Sequence, residues 1–511
     1  MITQLGVLAV RHWIGVALVV AVLKIALGAW MPLTGDEAYF ASWGLVPDFG
    51  YYDHPPMAGW MMAAMQSIGD HRLILRLPGM ATSFALAGIF WWLLRGIHKE
   101  RAALVALVIL VSPLNLINVF TLTDTGVILF SGLSLAAVIA GLRENHYGFA
   151  ILSGVFLGLA FLSKYFAALL VLGYGLYFFL IDKHLWRYGV VVLLASLPFA
   201  LLNFYWNYTH CWANFAFNFF NRHDAVNGID LTSFVLYLLT IVYVFLPPVL
   251  LAFLRLKKDA AKGHQAFPLV CRPAVSVLVF GLLCFAAISV WREVGLHWLL
   301  WLHIFAIVAL FPLEPLRWQR LAGWLIVWSL VHVMVVPVVL YALIGPAGFN
   351  HELRRDWVTL SNVEEIFHKA QSVVNSHPDV SLTTEDLLIA TGSYSSAAIA
   401  QYRSGKKVYV FGAGSRYGRQ QDFWVDFSKL DQTDWLIFTK DAPNVDRFTP
   451  FFANVVPLAV DIKEQTFHFV LATGLNAPVY IERVIAPAIE RYYDLPSWLP
   501  KGECSARIRH E

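Results

Sequence analysis

Ten ionisable residues stand at the ends of apolar segments or in the loops that connect them, in stretches that are far apart along the chain. They are Asp36, Glu37, Asp53, His54, Asp124, Lys164, Arg222, His223, Arg292 and His297. A carboxylate can take a proton from a hydroxyl group, and cationic side chains stabilise a phosphate that gains charge as it leaves. Carboxylates beside cations therefore indicate a site for an anionic lipid headgroup, if these residues share one face of a membrane.

The alternative is that these side chains are ordinary interfacial residues whose charged ends reach water. Long Lys and Arg side chains do this readily, so for each cation both interpretations stay open. Asp36 and Asp124 are different, because a short carboxylate cannot extend far and is costly to hold at membrane depth. These two residues are therefore the best candidates for a chemical role.

The composition favours a membrane as the solvent of most of the chain. Of 511 residues, 58% are hydrophobic and only 14% are charged, whereas soluble domains carry about a quarter charged residues. A net charge of +3 gives no electrostatic support for a nucleic-acid partner. The four cysteines show neither CxxC spacing nor a disulfide framework, and each is interpreted as a small buried hydrophobic residue.

About eleven apolar runs are long enough to be candidate membrane-spanning helices. They are 13–33, 73–95, 102–121, 125–142, 148–163, 165–181, 188–204, 232–254, 273–291, 297–312 and 321–344. The first run is longer than a signal-peptide core and lacks a clean cleavage site, so it is interpreted as an uncleaved span.

Lys and Arg are concentrated in one set of alternate loops, which predicts the orientation. The rich set holds Arg11, Arg95, Lys99, Arg101, Arg143, Lys183, Arg187, Arg255, Lys257, Lys258, Lys262, Arg272, Arg317 and Arg320. That set is predicted to be cytoplasmic, with the N-terminus inside and the C-terminus in the periplasm. The ten ionisable residues then all lie on the outer side of the inner membrane.

Residues 1–345 are accordingly predicted to form a transmembrane catalytic domain with outer loops 34–72 and 203–231. The first loop should contain short helices at Asp36–Gly44 and Met57–Ile68. Residues 346–511 are predicted to form a soluble periplasmic α/β domain, because charged residues return and apolar runs shrink to strand length. Strands are expected at Leu387–Ala390, Val408–Phe411, Trp435–Thr439 and Phe467–Leu471, and a helix at Ser395–Arg403. Gly412, Gly414 and Gly418 are interpreted as a loop, since no helix follows them.

Several sequence motifs follow one another along the chain. They are Thr34-Gly35-Asp36-Glu37-Ala38-Tyr39, Tyr51-Tyr52-Asp53-His54-Pro55-Pro56, Leu122-Thr123-Asp124-Thr125, the run Gly158 to Tyr165, Trp206-Asn207 with His210, Trp212, Phe215, Arg222 and His223, and Gly295-Leu296-His297-Trp298. This order resembles the protein O-mannosyltransferase-like glycosyltransferases, which include the bacterial lipid A aminoarabinose transferases, within the GT-C superfamily. The resemblance covers roughly residues 30–310. The C-terminal part is similar only at Gly392–Gln401 and Gln420–Trp424.

The resemblance implies transfer of one hexose or pentose from a polyprenyl-phosphate carrier to an acceptor. Asp36 takes the position of the family's catalytic aspartate, with Asp124 and Glu37 as further catalytic candidates. Cations for the donor phosphate are His54, Lys164, Arg222, Arg292 and His297. The acceptor and loop candidates are Tyr52, Asp53, Trp206, Asn207 and His223. The cofactor is unknown, and a divalent metal ion on Asp36, Glu37 and Asp124 is one option.

The sequence departs from the aminoarabinose transferases at His54, where those enzymes have a lysine before the proline pair. This leaves room for a different donor sugar.

The acceptor is expected to be a cell-envelope glycolipid such as lipid A or lipopolysaccharide core, with a protein hydroxyl as the alternative. A secondary transporter or flippase is disfavoured. Transporters show paired repeats and charges near the bilayer midplane, whereas this sequence shows no visible repeat and its ionisable residues are predicted to gather at one face.

Overall fold

The computed structural model describes residues 1–221, 228–261, 269–344, 351–375, 387–412, 420–493, 495 and 498–500. Packing divides the chain into two compact units. We call Met1–Met31, Pro55–Asn203 and Ala225–Val336 the helical unit, and Pro32–His54, Phe204–Asp224 and Pro337–Glu511 the mixed unit.

The α-helices in chain order are α1 (Ile2–Arg11), α2 (Trp13–Trp30), α3 (Gly35–Leu45), α4 (Met57–Gln66), α5 (Arg72–Leu75), α6 (Leu77–Leu94), α7 (Lys99–Val111), α8 (Pro113–Ile117), α9 (Thr123–Glu144), α10 (Tyr147–Phe161), α11 (Ala168–Gly175), α12 (Trp186–Thr209), α13 (Ala213–Phe215), α14 (Leu231–Ala261), α15 (Arg272–Ser289), α16 (Leu302–Ala309), α17 (Pro315–Ile344), α18 (His351–Asn375), α19 (Tyr394–Ser404), α20 (Gln421–Trp424), α21 (Ala477–Tyr480) and α22 (Ala486–Tyr492). Short 3₁₀ or π turns lie at Tyr165–Ala167, Leu176–Ile181, Lys183–Leu185, Ala216–Asn221, Leu269–Cys271, Leu296–Leu299, Phe427–Leu430, Val445–Arg447 and Ile481–Ile485.

Six helical stretches of the described chain are long and apolar enough to cross a membrane. They are Trp13–Trp30, Arg72–Leu94, Thr123–Glu144, Lys183–Thr209, Leu231–Arg255 and Leu269–Ser289. Shorter apolar helices occur at Ile2–Arg11, Tyr147–Phe161 and Tyr165–Ile181. The prediction of a polytopic helical membrane protein is confirmed, and the number of eleven spans stays a prediction.

Several predicted spans are not single helices, and 102–121 and 297–312 show this most clearly. In the run 102–121, α7 ends at Val111 and Pro113 begins the short α8, because a residue before proline is disfavoured in helical conformation. The run 297–312 divides into a 3₁₀ turn at Leu296–Leu299 and the eight-residue α16. Hydropathy alone does not register such breaks.

Close packing between α9, α10 and α12 positions the polar residues at the helix ends of the helical unit. A β-carbon on Gly126 of α9 would overlap Ser163, and one on Gly154 of α10 would overlap the backbone of Val192 in α12. Small residues let helices approach in this way within a membrane. Because only Asn145 and His146 separate α9 from α10, the start of α9 and the end of α10 lie at the same end of the pair.

The mixed unit contains a five-stranded sheet with strands β1 (Leu388–Thr391), β2 (Val408–Val410), β3 (Trp435–Thr439), β4 (Phe452–Ile462) and β5 (Gln465–Leu475). The strand order is β2-β1-β3-β5-β4. β1 is parallel to β2 and β3, whereas β5 is antiparallel to β3 and β4. Trp435, Phe411 and Tyr480 pack in the core beside the sheet.

The strands predicted at the positions of β1, β2, β3 and β5 are confirmed, as are the helices at α3, α4 and α19. β4 and the long helix α18 were not predicted. β4 and β5 are joined by Lys463 and Glu464, which both have positive φ. A two-residue turn of this kind usually carries Asn or Gly, so the sequence gives no turn signal here. Gly414 and Gly418 lie outside the described residues.

The interpretation of all four cysteines as unbonded hydrophobic residues is wrong for Cys211, which is disulfide-bonded. Cys271 and Cys284 are free, as expected, and Cys504 lies outside the described residues. Sequence spacing did not reveal the bond, because the four cysteines form no local spacing pattern.

Candidate functional site

In the helical unit, Asp124 and Lys164 form a nearly buried ion pair. Asp124 is the second residue of α9, and Lys164 follows α10 by three positions. The Lys164 Nζ donates to both carboxylate oxygens of Asp124, at 2.8 and 3.0 Å. Their side chains are 7% and 15% exposed. The first turn of a helix favours a carboxylate, and Asp124 in turn holds the Lys164 side chain in place.

Contacts through two aromatic rings connect this pair to the predicted 295–298 motif. The Lys164 ammonium lies 5.4 Å from the centre of the Phe166 ring, and that ring is 4.5 Å from the Trp298 ring. His297 is exposed beside Trp298. Arg292 is half-buried on the turn after α15. The helical unit therefore brings Asp124, Lys164 and the motif containing His297 into one connected group.

In the mixed unit, adjacent residues Asp36 and Glu37 have different surroundings. Both lie in the first turn of α3. The Glu37 carboxylate accepts hydrogen bonds from the Thr34 backbone N–H and from the Thr34 hydroxyl, both at 3.1 Å. Glu37 is fully buried. The Thr34 hydroxyl in turn accepts from the Glu37 N–H, which completes a capping box. Glu37 thus holds the helix start, while Asp36 is exposed.

Tyr39 and Asp53 connect α3 to the second motif of the first loop. The Tyr39 hydroxyl donates to Asp53 Oδ1 at 3.4 Å. Burial raises the pKa of Tyr39 well above its usual range, and the negative charge of Asp53 raises it further. Tyr39 therefore remains protonated at physiological pH and stays a donor to Asp53. Both His54 and Asp53 are half-buried, with the His54 ring 6.0 Å from that of Phe40.

The loop after α12 holds the backbone of Tyr51-Tyr52-Asp53. Asn214 Nδ2 donates to the Tyr51 carbonyl at 2.7 Å, and Asn218 Nδ2 donates to the Asp53 carbonyl at 3.0 Å. These two asparagines were not among the predicted site residues. Their spacing of four on one helical turn was the available signal, since it places both amides on one face.

The C-terminal part of the mixed unit also contacts these loops. Gln420 Oε1 accepts from the Tyr52 N–H at 2.6 Å, across 368 positions of sequence. The Tyr394 ring lies 4.6 Å from the Tyr39 ring, and a β-carbon on Gly35 would overlap Ser395. The loosely similar stretches Gly392–Gln401 and Gln420–Trp424 thus include residues that support the first loop.

Of the predicted acceptor residues, Tyr52, Trp206 and Asn207 are buried. The Trp206 ring stacks on His210 at 4.3 Å, and Asn207 Oδ1 accepts from the Phe215 N–H at 3.1 Å. These contacts give the three residues a clear part in packing the loops. Arg222 and His223 lie outside the described residues.

Gly50 tests the packing of Trp206. Ala at this position would place a β-carbon inside contact distance of the Trp206 ring. Overpacking of this kind costs about 1–3 kcal/mol, so we expect Gly50→Ala to lower the thermal unfolding temperature of the purified protein.

The matched control is Gly88→Ala, because a β-carbon at Gly88 of α6 would meet no atom within 4 Å. That variant should unfold at or above the wild-type temperature, since Ala is favoured over Gly within a helix. Equal unfolding temperatures for Gly50→Ala and wild type would contradict the described packing.

Among the described residues, no group of three or more His, Cys, Asp or Glu side chains could hold a metal ion. The Glu37 carboxylate is also engaged in its capping box. We therefore assign no step to a metal.

Comparison with solved structures identifies the fold. ArnT from Cupriavidus metallidurans bound to undecaprenyl phosphate matches with a TM-score of 0.57 and 17% sequence identity, over 90% of this chain and 98% of that chain. The apo state of the same protein matches with a TM-score of 0.54 and 15% identity over the same shares. The chain has the ArnT fold.

Sequence comparisons agree with this GT-C type fold. Residues 53–206 match the dolichyl-phosphate-mannose-protein mannosyltransferase family. The lipid A galacturonosyltransferase RgtD of Rhizobium johnstonii is 29% identical over 181 residues, which are 34% of this chain and 38% of that protein. The match thus spans less than two fifths of the curated relative. The resemblance to GT-C membrane glycosyltransferases drawn from the motifs is confirmed.

Proposed function

We propose that this protein transfers a single sugar from a polyprenyl-phosphate carrier to a glycolipid of the lipid A or lipopolysaccharide type. The observation that carries the proposal is the nearly buried Asp124–Lys164 pair, which joins the Leu122-Thr123-Asp124-Thr125 motif to the run from Gly158 to Tyr165. The names of similar proteins give further support, since one is a lipid A galacturonosyltransferase and another is bound to undecaprenyl phosphate.

In the proposed reaction, the Asp36 carboxylate accepts the proton of the acceptor hydroxyl as its oxygen attacks the anomeric carbon. The bond from that carbon to the phosphate oxygen breaks, and the polyprenyl phosphate leaves with the electron pair. A general base of this kind contributes about 10²–10⁴-fold to the rate. With no obvious side-chain nucleophile, the proposal is a direct displacement that inverts the anomeric centre.

We assign the leaving phosphate to Lys164, Arg292 and His297 of the helical unit. Preplaced cations stabilise charge that develops in the transition state. Asp124 holds the Lys164 side chain in place until the donor phosphate arrives. Tyr39 and Asp53 are proposed to position the first loop around the acceptor, supported by the amides of Asn214 and Asn218.

We also propose that the mixed unit lies in the periplasm, as part of an inner-membrane protein whose N-terminus is cytoplasmic. The disulfide bond at Cys211 supports this, since disulfides persist in oxidising compartments and are rare in the cytosol. The richness in Lys and Arg of the opposite loops agrees with this orientation. Residues 1–345 and 346–511 remain the proposed domains.

The test is mass spectrometry of envelope glycolipids from a deletion strain, complemented with either wild type or Asp36→Asn. We expect one sugar to be missing from the glycolipid in the deletion and the variant, and restored by wild type.

A protein acceptor is the second candidate, favoured by the family that residues 53–206 match. Unchanged glycolipids together with a glycoprotein that loses its glycan would replace the glycolipid by a protein hydroxyl. If neither class changes, the transferase proposal is wrong.

A further inference from the structure

A cavity of about 320 Å³ lies in the helical unit, lined by residues of α14 and of the segment that begins α17. One wall follows Pro247 and Pro248. Proline removes a helical hydrogen bond and bends the helix, and Leu246 before the pair has a positive φ of 60°. The sequence therefore encodes the bend beside which the cavity lies. Neither Asp124 nor Lys164 lines this cavity.

Three guanidinium groups line the cavity, from Arg255, Arg317 and Arg320. Arg317 contacts the Glu314 carboxylate at 3.5 Å, but that carboxylate is 61% exposed. Within the described ranges, Arg255 and Arg320 have no carboxylate within 4 Å. Cations are also unfavourable in the first turn of a helix, where Arg317 stands. A bound anion would offset this unfavourable placement of positive charge.

The rest of the lining is apolar and aromatic. It includes Leu251, Trp324 and Trp328, and the first two are largely exposed. Trp side chains favour the boundary between hydrocarbon and water. A small dissolved anion would use the guanidinium groups but not this surface. An amphiphile with a phosphate and a hydrocarbon chain uses both.

We propose that this cavity binds an anionic phospholipid, with its phosphate on Arg255, Arg317 and Arg320 and an acyl chain along Leu251, Trp324 and Trp328. By the distribution of Lys and Arg, the site lies on the cytoplasmic side, where anionic lipids attract basic residues. Arginine is suited to the headgroup because its planar fork binds phosphate oxygens in pairs. The proposal does not depend on the sugar-transfer reaction.

The experiment measures thermal unfolding of the detergent-purified full-length protein against increasing lipid. Phosphatidylglycerol should raise the unfolding temperature, whereas phosphatidylcholine with the same acyl chains and inorganic phosphate should not. The double variant Arg317→Gln/Arg320→Gln should require about tenfold more phosphatidylglycerol for the same effect.

The matched control is Arg187→Gln. Arg187 is an exposed arginine at the start of α12, beside a tryptophan, and it does not line the cavity. This variant should respond to phosphatidylglycerol as the wild type does. An equal loss in Arg187→Gln would show general attraction between lipid and basic loops, and would overturn the proposed site.

Further results of the lipid titration also test the proposed lipid site. Equal effects of phosphatidylcholine, equal effects of inorganic phosphate, or an unchanged double variant would each overturn the proposal. If the double variant does not fold, native mass spectrometry of the wild type replaces it. Retained phosphatidylglycerol should then dissociate as salt is raised, because the contacts are ionic. Retention that is indifferent to salt, or retention of a neutral lipid, would contradict a guanidinium site.

Discussion

Replacing Asp36 by Asn is expected to reduce sugar transfer by at least about 10²-fold, since the amide cannot accept the acceptor proton. Because Asp36 is exposed, the substitution should leave the unfolding temperature and donor affinity close to wild type. The measurement is the turnover rate of purified protein with a polyprenyl-phosphate sugar donor, together with its unfolding temperature. Full turnover in this variant would remove Asp36 from the role of base.

Glu37→Ala is the neighbouring control. Its carboxylate belongs to the capping box of α3, and loss of a cap costs about 0.5–2 kcal/mol. This variant should therefore lower the unfolding temperature. The two adjacent acidic residues are thus expected to separate a chemical role from a structural one. A stable and inactive Glu37→Ala protein would instead give Glu37 a direct part in the reaction.

Lys164→Ala is expected to have the second large effect, on both donor affinity and stability. The substitution leaves the Asp124 carboxylate nearly buried without its lysine partner, and breaking a buried pair from one side costs about 3–5 kcal/mol. It also removes a cation from the proposed phosphate site. We expect a higher donor KM and a lower unfolding temperature.

The double variant Lys164→Ala/Asp124→Ala separates these two effects. Removing both charges eliminates the uncompensated carboxylate, so the unfolding temperature should recover in part. Donor affinity should not recover, because no cation returns. If the double variant regains donor affinity with stability, Lys164 acts only as a structural partner of Asp124. An unchanged donor KM in folded Lys164→Ala would also contradict the phosphate role.

The sequence identified both members of the ion pair but not their pairing. Asp124 and Lys164 are 40 positions apart. The sequence nevertheless contains enough information to predict the pairing. Two apolar helices joined by a very short connection must be antiparallel neighbours, which places the start of one beside the end of the next. The short connection at Asn145 and His146 therefore predicts that Asp124 and Lys164 lie close together.

Contacts that depend on three-dimensional packing were harder to predict. Gln420 supports Tyr52 from 368 residues away, and no periodicity or composition signals such a contact. Asp36 and Glu37 also look alike as adjacent carboxylates. Their roles separate only when the capping box turns one inward and leaves the other exposed. β4 was missed because Lys463 and Glu464 adopt turn conformations that the sequence would assign to Asn or Gly.

The mixed unit is assembled from three stretches of chain, Pro32–His54, Phe204–Asp224 and Pro337–Glu511. Since proteins are synthesised from the N-terminus, the first stretch emerges long before the last. During translation, the Tyr52 N–H therefore lacks its Gln420 partner until most of the apolar helices have been synthesised. A nascent chain that stops before residue 420 carries every acidic candidate residue yet lacks the support for its first loop. Premature termination late in the gene should therefore give inserted but inactive protein.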